Sequence, residues 1–451
     1  RCFPYQKKEV SKDSSISGRT NERRKYMSDI LNGLNPQQKE AVMHTEGPLL
    51  ILAGAGSGKT RVLTHRIAYL IENGFAEPED ILALTFTNKA AKEMKERAAS
   101  LTGKAADKML ITTFHSACVR FLKNRMMLLG YKRGNFVIYD TDEQKKIIRT
   151  IFEETGFQGR YPDIRVYDVI SFISKQKEKM LGPDELESIY PDYPLITVYK
   201  EYERILKKNN ALDFDDLLWK TVQLFENYPH ILHSYQEQFK YIMVDEYQDT
   251  NLVQFKIISM LADKYQNLCV VGDDDQSIYS FRGADIRNIL EFEKEFQNTK
   301  VIKLEENYRS TKNILSAANA VISHNQERKE KKLWTQGEEG NKLRTITLPD
   351  ATTEAKFIVS EIERMHNREK ADYKDFAILY RTNAQSRLFE QCLTMKDIPY
   401  RLVGALSFFE RKEVKDMLAY LRVLINPDDD FGLERIINVP RRGIGAVTIK
   451  K

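Results

Sequence analysis

Residues 53–60, Ala-Gly-Ala-Gly-Ser-Gly-Lys-Thr, have the composition and spacing of a phosphate-binding P-loop. The glycines allow backbone N–H groups to turn toward phosphate oxygens, and the N-terminus of a following helix adds partial positive charge. In such a loop Lys59 reaches the β- and γ-phosphates, and Thr60 binds Mg²⁺. The strict pattern has Gly where this chain has Ala53, a small departure. The alternative interpretation is a glycine-rich turn that ends a core strand.

Two adjacent carboxylates, Asp245 and Glu246, follow the apolar segment 241–244, which predicts a buried strand. In P-loop enzymes an Asp at such a strand end holds Mg²⁺, usually through water. The neighbouring Glu can orient and deprotonate the attacking water, which indicates a hydrolase rather than a kinase. The alternative is that both acids simply lie at an exposed strand end.

The segments that flank these residues must position them. Residues 48–52 are uniformly apolar and predict a buried strand, and residues 61–70 have apolar positions three and four apart, which predicts a helix. The alternation of apolar strands with helices predicts an α/β fold with a parallel sheet. Further strands are predicted at 81–86, 109–114, near 241–245, near 268–272 and at 376–380.

Composition sets the broad class. The chain has 451 residues, of which 42% are hydrophobic and 30% charged, as in an ordinary soluble globular protein. No apolar run approaches the roughly 18 residues that span a bilayer, so we expect no membrane contact. The four cysteines are scattered without a CxxC pair, which favours a reduced cytosolic protein over a disulfide framework or a zinc site.

The net charge of +5 lies entirely in residues 1–26, which hold eight Lys/Arg and three Asp/Glu. The rest of the chain is balanced, so overall charge does not support nucleic-acid binding, and a basic groove must come from local patterning. Residues 1–26 also lack hydrophobic periodicity and begin with Arg. Our hypothesis is a disordered or translated leader before a true start at Met27. A natural basic tail is the alternative.

Several further motifs occur in a fixed order along the chain. They are 34–38 (LNPQQ), 85–91 (TFTNKAA), 112–116 (TTFHS), 244–250 (VDEYQDT), 272–285 (GDDDQSIYSFRGAD) and 306–310 (ENYRS). From about residue 29 to its last residue, the chain resembles the PcrA/UvrD-type superfamily-one DNA helicases. In that family two RecA-like domains face each other across one ATP, each domain carries a helical insertion, and the enzyme moves 3′ to 5′ on single-stranded DNA.

The resemblance therefore implies a domain organisation. The expected parts are a leader at 1–26, a first RecA-like ATPase domain at 27–130 and 212–308, a helical insertion at 131–211, the N-terminal part of a second RecA-like domain at 309–408, and the start of a second helical insertion at 409–451.

The resemblance also implies roles at the nucleotide site, with ATP and Mg²⁺ as cofactors. Gln38 would read the adenine edge, and Tyr308 would stack on the adenine. Glu246 would be the catalytic base, Gln276 would sense the γ-phosphate and relay its state to the DNA groove, and Arg309 of the second domain would contact the γ-phosphate across the cleft. Thr60 and Asp245 would hold the metal. The implied nucleotide-binding residues are Gln38, Ala53, Gly54, Ala55, Gly56, Ser57, Gly58, Lys59, Thr60, Arg61, Tyr308 and Arg309.

Single-stranded DNA bound without sequence preference requires stacking faces and backbone donors. Candidate stacking residues in or beside the motifs are Phe86, His115, Tyr279 and Phe281, and candidate phosphate contacts are Thr113, Arg282, Arg381 and Asn383. The family usually has Trp at position 281. Phe281 keeps a smaller stacking face, so we expect weaker base contact. For each aromatic residue the alternative is core packing.

The family's second RecA-like domain resumes after its insertion with a glycine-rich DNA-binding turn and a second arginine that contacts the γ-phosphate. Residues 410–451 match neither motif. We therefore expect a C-terminally truncated chain with an incomplete second RecA-like domain and reduced activity, because losing an arginine finger alone costs about 10³–10⁵ in rate. The turn at 443–445 is either a helix–helix connection or a contact to a duplex backbone.

For the parent protein, the resemblance implies an ATP-dependent 3′–5′ DNA helicase or translocase that couples ATP hydrolysis to duplex unwinding in DNA repair or replication. Its expected partners are single-stranded DNA, single/double-strand junctions and repair or replication proteins. We expect a monomer in the bacterial cytoplasm. The alternatives are a nucleotide-gated DNA-binding module without productive unwinding, and the motor subunit of a helicase–nuclease complex.

Overall fold

The computed structural model describes residues 30–132, 135–326, 328–403, 411–445 and 448. They form two compact units, one within residues 1–341 and the other within residues 342–451. The expected leader at 1–26 and the proposed start at Met27 lie outside the described residues. Among the described helices, none is both long enough and apolar enough to cross a membrane.

The first unit is built on a parallel six-stranded sheet with the strand order β3-β2-β6-β7-β1-β8. Two further strands, β4 and β5, form a separate parallel pair. The strands are β1 (Leu49–Ala53), β2 (Ile81–Thr85), β3 (Leu110–Thr113), β4 (Val137–Ile138), β5 (Ala211–Leu212), β6 (Tyr241–Val244), β7 (Leu268–Gly272) and β8 (Lys300–Leu304). The predicted α/β fold with a parallel sheet is confirmed.

Helices cover both faces of this sheet. Strands β1, β2, β6 and β7 are buried along their whole length, because side chains that alternate along a strand enter different cores. In β1, Leu50 and Leu52 belong to one hydrophobic cluster, and Leu49 and Ile51 belong to the other. Burial on both faces explains why these strands read as continuous apolar runs rather than as an alternating pattern.

Helices occupy most of the remaining first unit. They are α1 (Pro36–Met43), α2 (Lys59–Glu72), α3 (Asn88–Thr102), α4 (Phe114–Leu122), α5 (Thr141–Thr155), α6 (Phe157–Arg160), α7 (Val166–Glu178), α8 (Pro183–Ile189), α9 (Pro194–Lys208), α10 (Phe214–Asn227), α11 (Pro229–Gln238), α12 (Leu252–Ala262), α13 (Arg287–Leu290), α14 (Phe292–Glu295) and α15 (Lys312–Ile322). Helices α5–α9 fill the region predicted as a helical insertion, and the β4–β5 pair joins its two ends.

The sheet order places the predicted chemistry at one edge. Strands β6, β7 and β1 are neighbours and run parallel, so their carboxyl ends lie side by side. The P-loop follows β1, the Asp245–Glu246 pair follows β6, and the segment 273–276 follows β7. Ligands of open parallel sheets bind at this edge, so the fold alone brings the three loops together.

The second unit consists of helices α16 (Ala351–Glu369), α17 (Ser386–Met395), α18 (Lys412–Ile425) and α19 (Asp430–Ile436). The predicted strand at 376–380 is wrong, because no strand is assigned there, nor elsewhere in the described residues from 342 onward. A strand requires a neighbour that satisfies its N–H and C=O groups, and apolar composition cannot supply one. Leu379, at the centre of the segment, is 94% exposed.

A buried ion cluster joins the predicted helical insertion to helix α10, which follows it in the first unit. The Lys177 ammonium of α7 lies 2.7 Å from a carboxylate oxygen of Glu203 in α9, 2.8 Å from Asp213 and 2.7 Å from Asp216 of α10. The side chains of Lys177, Asp213 and Asp216 are fully buried. Burial alone would lower the pKa of Lys177, but the carboxylates outweigh it and raise that pKa well above its usual value, so the amine stays charged.

Replacing Lys177 by Met should therefore lower the free energy of unfolding, because two buried carboxylates would lose their cation. Removing one partner of a buried ion pair costs about 3–5 kcal/mol in the free energy of unfolding, which urea denaturation would measure. The matched control is Lys200→Met, since the ion pairs of Lys200 with Asp184 and Glu187 are solvent-exposed. That change should leave the free energy of unfolding nearly unchanged, because ion pairs in water contribute little to stability. Equal losses of unfolding free energy in the two variants would contradict a stabilising role of the buried Lys177 cluster.

Candidate active site and the adjoining aromatic surface

The P-loop connects the end of β1 to the start of α2 through two glycines in the left-handed region. Gly56 has a φ of 69° and Gly58 a φ of 91°, values that L side chains rarely adopt. A Cβ on Gly56 would also lie 2.6 Å from the Asn307 amide and 2.8 Å from Cβ of Arg309. Conformation and space therefore both require glycine at position 56.

The two predicted pairs of reactive residues meet above this loop. The Lys59 ammonium lies 2.7 Å from Oε2 of Glu246, and the Thr60 hydroxyl donates to Oδ2 of Asp245 at 3.2 Å. Thr60 and Asp245 are 185 positions apart in the sequence, so this is a tertiary contact. A hydroxyl and a carboxylate oxygen side by side provide the hard oxygen ligands that Mg²⁺ prefers.

Glu246 is held in a strained backbone conformation. Its φ of 51° and ψ of 44° are left-handed, which costs a non-glycine residue about 1–3 kcal/mol and persists only where surrounding contacts enforce it. One such contact is the Gln248 side-chain amide, which donates to Oε2 of Glu246 at 3.0 Å. The Gln248 side-chain oxygen, Oε1, accepts from the Asp273 N–H at 2.9 Å. Gln248 was not among the predicted site residues, although it lies inside the 244–250 motif.

The two carboxylates have opposite pKa shifts. Burial, together with the nearby charge of Glu246, raises the pKa of Asp245 to about 6. Burial also opposes ionisation of Glu246, but the Lys59 ammonium and the Gln248 amide outweigh it and lower the pKa of Glu246. At neutral pH Glu246 is thus ionised, as a proton acceptor must be.

The predicted sensor, Gln276, lies at the end of the neighbouring strand. It closes the short turn Asp274–Gln276 after β7, and its side-chain amide donates to Oδ2 of Asp273 at 2.5 Å. The carboxylates of Asp273, Asp274 and Asp275 are close enough to surround a cation. The Lys331 ammonium is paired with all three, so the structure itself supplies that cation.

Gln38 and Tyr308 lie beside the P-loop. The Gln38 amide donates to the Ser57 carbonyl at 2.8 Å, and its oxygen accepts from the Asn35 N–H at 3.0 Å. The Asn35 side chain in turn donates to the Tyr308 hydroxyl at 2.9 Å. The Tyr308 side chain is 57% exposed, which leaves a ring face open to stacking. Both residues thus adjoin the loop that the resemblance assigns to the nucleotide.

The segment 307–309 packs directly on the P-loop backbone. The Tyr308 N–H donates to the Gly56 carbonyl at 3.0 Å, and the Asn307 side chain donates to the Ala55 carbonyl at 2.5 Å. Arg309 is exposed and belongs to the same compact unit as the P-loop, since that unit continues to residue 341. The domain boundary before Arg309 stays a prediction. The contact of Arg309 with the γ-phosphate across a cleft also stays a prediction. Asn307 was missed at the sequence level.

Four of the predicted DNA contacts form one surface, which we call the aromatic platform (Phe86, Tyr279, Phe281 and Arg282). The rings of Phe86 and Tyr279 are stacked with centroids 6.2 Å apart, and those of Tyr279 and Phe281 lie 5.9 Å apart. The Arg282 guanidinium lies 5.6 Å from each of the last two rings. Phe281 is 68% exposed, so core packing does not explain its position.

The other four predicted DNA contacts have different surroundings. Thr113 is buried and its hydroxyl accepts from the Ser116 N–H at 3.3 Å, which caps α4. The His115 ring packs edge-on against Phe214 at 5.8 Å, and burial lowers its pKa. Arg381 and Asn383 are exposed in the second unit, just before α17.

Comparison with known proteins identifies two matching families. The family described as UvrD/REP helicase N-terminal domain matches residues 34–297, and the family described as UvrD-like helicase C-terminal domain matches residues 302–451. The chain is 50% identical over 430 residues to the ATP-dependent DNA helicase PcrA of Bacillus subtilis (strain 168), and 49% identical over 428 residues to that of Staphylococcus aureus (strain NCTC 8325 / PS 47).

Each alignment covers 94% of this chain and 58% of the relative. The chain therefore spans a little over half the length of these curated proteins. Because the first family match alone covers more than half of the chain and includes the P-loop, the Asp245–Glu246 pair and the platform, this chain belongs to the UvrD-like helicase family.

Proposed function

We propose that this chain carries the ATP-hydrolysing and DNA-contacting part of a 3′–5′ DNA helicase or translocase that unwinds duplex DNA in repair or replication. The observation that carries the proposal is the meeting of Lys59 and Thr60 with Glu246 and Asp245 at one sheet edge. The name of the relatives, ATP-dependent DNA helicase, supports the same activity. Polarity, pathway, junction binding, protein partners, a monomeric state and a bacterial cytoplasmic location rest on family resemblance.

The residues present fit Mg²⁺ and ATP. Lys59 and backbone N–H groups of the P-loop would hold the phosphates. The Thr60 hydroxyl and the Asp245 carboxylate would hold the metal, since their oxygens already lie 3.2 Å apart. When bound, ATP and Mg²⁺ supply the phosphoryl group and neutralise the charge that develops on it.

Glu246 would then accept a proton from the attacking water. In the structure its carboxylate is paired with Lys59 at 2.7 Å, so a move of the ammonium toward phosphate oxygens would free it. The Gln248 amide would keep Glu246 oriented after that change. Positioning and charge stabilisation of this kind account for most of the catalysis in phosphoryl transfer.

The aromatic platform would bind the DNA. Three of its four residues, Tyr279, Phe281 and Arg282, follow Gln276 within six residues, so most of the DNA contact and the predicted nucleotide sensor share one short loop. Stacking between aromatic rings and bases tolerates any sequence, which suits an enzyme that moves along a strand. The cation beside the rings, Arg282, provides a partner for the phosphate backbone.

Replacing Glu246 by Gln should reduce DNA-stimulated ATP turnover by about 100-fold or more, because general-base catalysis typically contributes about 10²–10⁴ in rate. The affinity for ATP should change by less than about threefold, since Gln keeps the shape of Glu. Steady-state hydrolysis with and without oligo-dT measures the first effect, and a fluorescent ATP analogue measures the second.

The matched control for this change is Glu226→Gln, in which an exposed carboxylate 3.6 Å from Lys256 is neutralised. Its turnover should equal that of the parent chain. Unchanged turnover in Glu246→Gln would refute the assigned base. If the unsubstituted chain binds ATP and DNA but does not hydrolyse ATP, the result would favour the nucleotide-gated binding module instead.

Replacing Phe281 by Ala should weaken binding of single-stranded DNA by roughly 5- to 150-fold, since stacking contributes about 1–3 kcal/mol per base. Phe281→Trp should tighten binding, because the larger ring covers more of a base. Fluorescence anisotropy with labelled oligo-dT measures both. The control is Phe75→Ala, which removes an exposed ring just beyond the far end of α2, stacked on Tyr69. If Phe75→Ala weakens binding as much as Phe281→Ala, the platform is not the DNA surface.

A further inference from the structure

The residues 328–334, which we call the clasp, contact two of the three loops of the candidate site, the P-loop and the turn after β7. Their central residue is Lys331, which is only 8% exposed. Its ammonium lies 2.8 Å from the Asp273 carboxylate and 2.8 Å from that of Asp275, and it is also bonded to Asp274. The acids follow β7 directly, so one buried cation holds the start of the loop that continues to the platform.

Two further contacts of the clasp support this arrangement. The Arg328 guanidinium binds both carboxylate oxygens of Asp275, at 2.9 and 2.7 Å, and the Lys329 N–H donates to Asp274 at 2.8 Å. Burial disfavours a charged Lys331, but the three carboxylates outweigh it and raise its pKa. Three adjacent acids at the edge of a core repel one another. Lys331 contacts all three of them, whereas Arg328 contacts Asp275 alone, so Lys331 contributes most to the stability of this turn.

Asp273 connects Lys331 to the catalytic carboxylate. Its side chain accepts from the Gln276 amide at 2.5 Å, and its N–H donates to Gln248 at 2.9 Å. Gln248 then donates to Glu246 at 3.0 Å. A continuous set of hydrogen bonds thus runs from the buried ammonium to both the predicted sensor and the predicted base.

The far end of the clasp contacts the P-loop. The Leu333 side chain fills the space that a Cβ on Gly54 would occupy. The Trp334 N–H donates to the Glu305 carbonyl at 3.0 Å, and the Trp334 carbonyl accepts from the Asn307 N–H at 2.7 Å. The clasp therefore contacts the P-loop, the segment that packs on it and the turn after β7.

We propose that Lys331 is a positioning residue that fixes Asp273 and Gln276, and so couples the nucleotide site to the aromatic platform. The coupling rests on the proposed function, because it takes ATP at the P-loop and DNA at the platform. Lys331 itself contacts neither ligand, and it acts through Asp273. Since the clasp is a short segment without a helix or strand of its own, this role is distinct from stabilising the sheet.

The test compares Lys331→Met with Lys329→Met in the full chain. Lys329 is a matched control, since it lies two residues away and pairs with Glu293 on the surface. Hydrogen exchange should be at least tenfold faster over 272–282 in Lys331→Met and unchanged in strands β2 and β3. In Lys329→Met both regions should exchange as in the parent chain.

The second readout is the affinity for labelled oligo-dT with and without Mg²⁺ and a non-hydrolysable ATP analogue. Coupling between two sites typically changes affinity by about 5- to 150-fold. The ratio of the oligo-dT affinity with nucleotide to that without nucleotide should fall to within about twofold of one in Lys331→Met. In a Gln276→Ala background the same substitution should change the ratio no further, because residues that act as one unit are not additive.

Unchanged exchange over 272–282, equal effects of both lysine substitutions, or multiplying effects of Lys331→Met and Gln276→Ala would overturn the positioning role. A ratio of one in the parent chain would instead show that nucleotide and DNA are not coupled. That result contradicts the proposed function and the coupling, while the exchange measurement still decides whether Lys331 positions the loop.

Discussion

The parallel pairing of β6, β7 and β1 is the constraint on which the candidate site depends. It places the P-loop, the Asp245–Glu246 pair and the 273–276 turn at one edge of the sheet. Because all four central strands are buried on both faces, their register is fixed by two hydrophobic cores rather than one. The loops can then carry strained and charged groups, such as Glu246, without disturbing the sheet.

Three lysines of the first unit that pair with carboxylates differ in burial, since two of the pairings are buried and one, at the candidate site, is partly exposed. Lys177 of the predicted insertion pairs with Glu203, Asp213 and Asp216. Lys59 pairs with Glu246 at the candidate site, and Lys331 pairs with the three acids 273–275 beside it. An unpaired buried charge would be costly, so Lys177 and Lys331 are needed to compensate the buried carboxylates that they contact. The first pairing is structural. In the proposed function the second pair would break when phosphate binds, and the third holds the start of the loop that leads to the platform.

Sequence reasoning found five of the six strands of the main sheet to within one or two residues and missed β8. It also found the four residues that meet at the candidate site, Lys59, Thr60, Asp245 and Glu246. This worked because β1, β6 and β7 are continuous apolar runs that end in chemically distinctive motifs. It failed at 376–380, where an apolar run has no neighbouring strand among the described residues to pair with. Apolar composition predicts burial, whereas a strand also requires hydrogen-bonding partners.

The sequence by itself determined the P-loop, the paired carboxylates, the aromatic motif and the family, because each is written in local residue types and spacing. Only the tertiary structure decided that Lys331 neutralises the acids after β7, that Gln248 bridges Asp273 and Glu246, and that Asn307 packs on the P-loop. Lys331 lies 57 residues from Asp274, and Asn307 lies 252 residues from Ala55. Contacts over such separations follow from chain topology, and one lysine among several in a basic stretch carries no local mark of its partner.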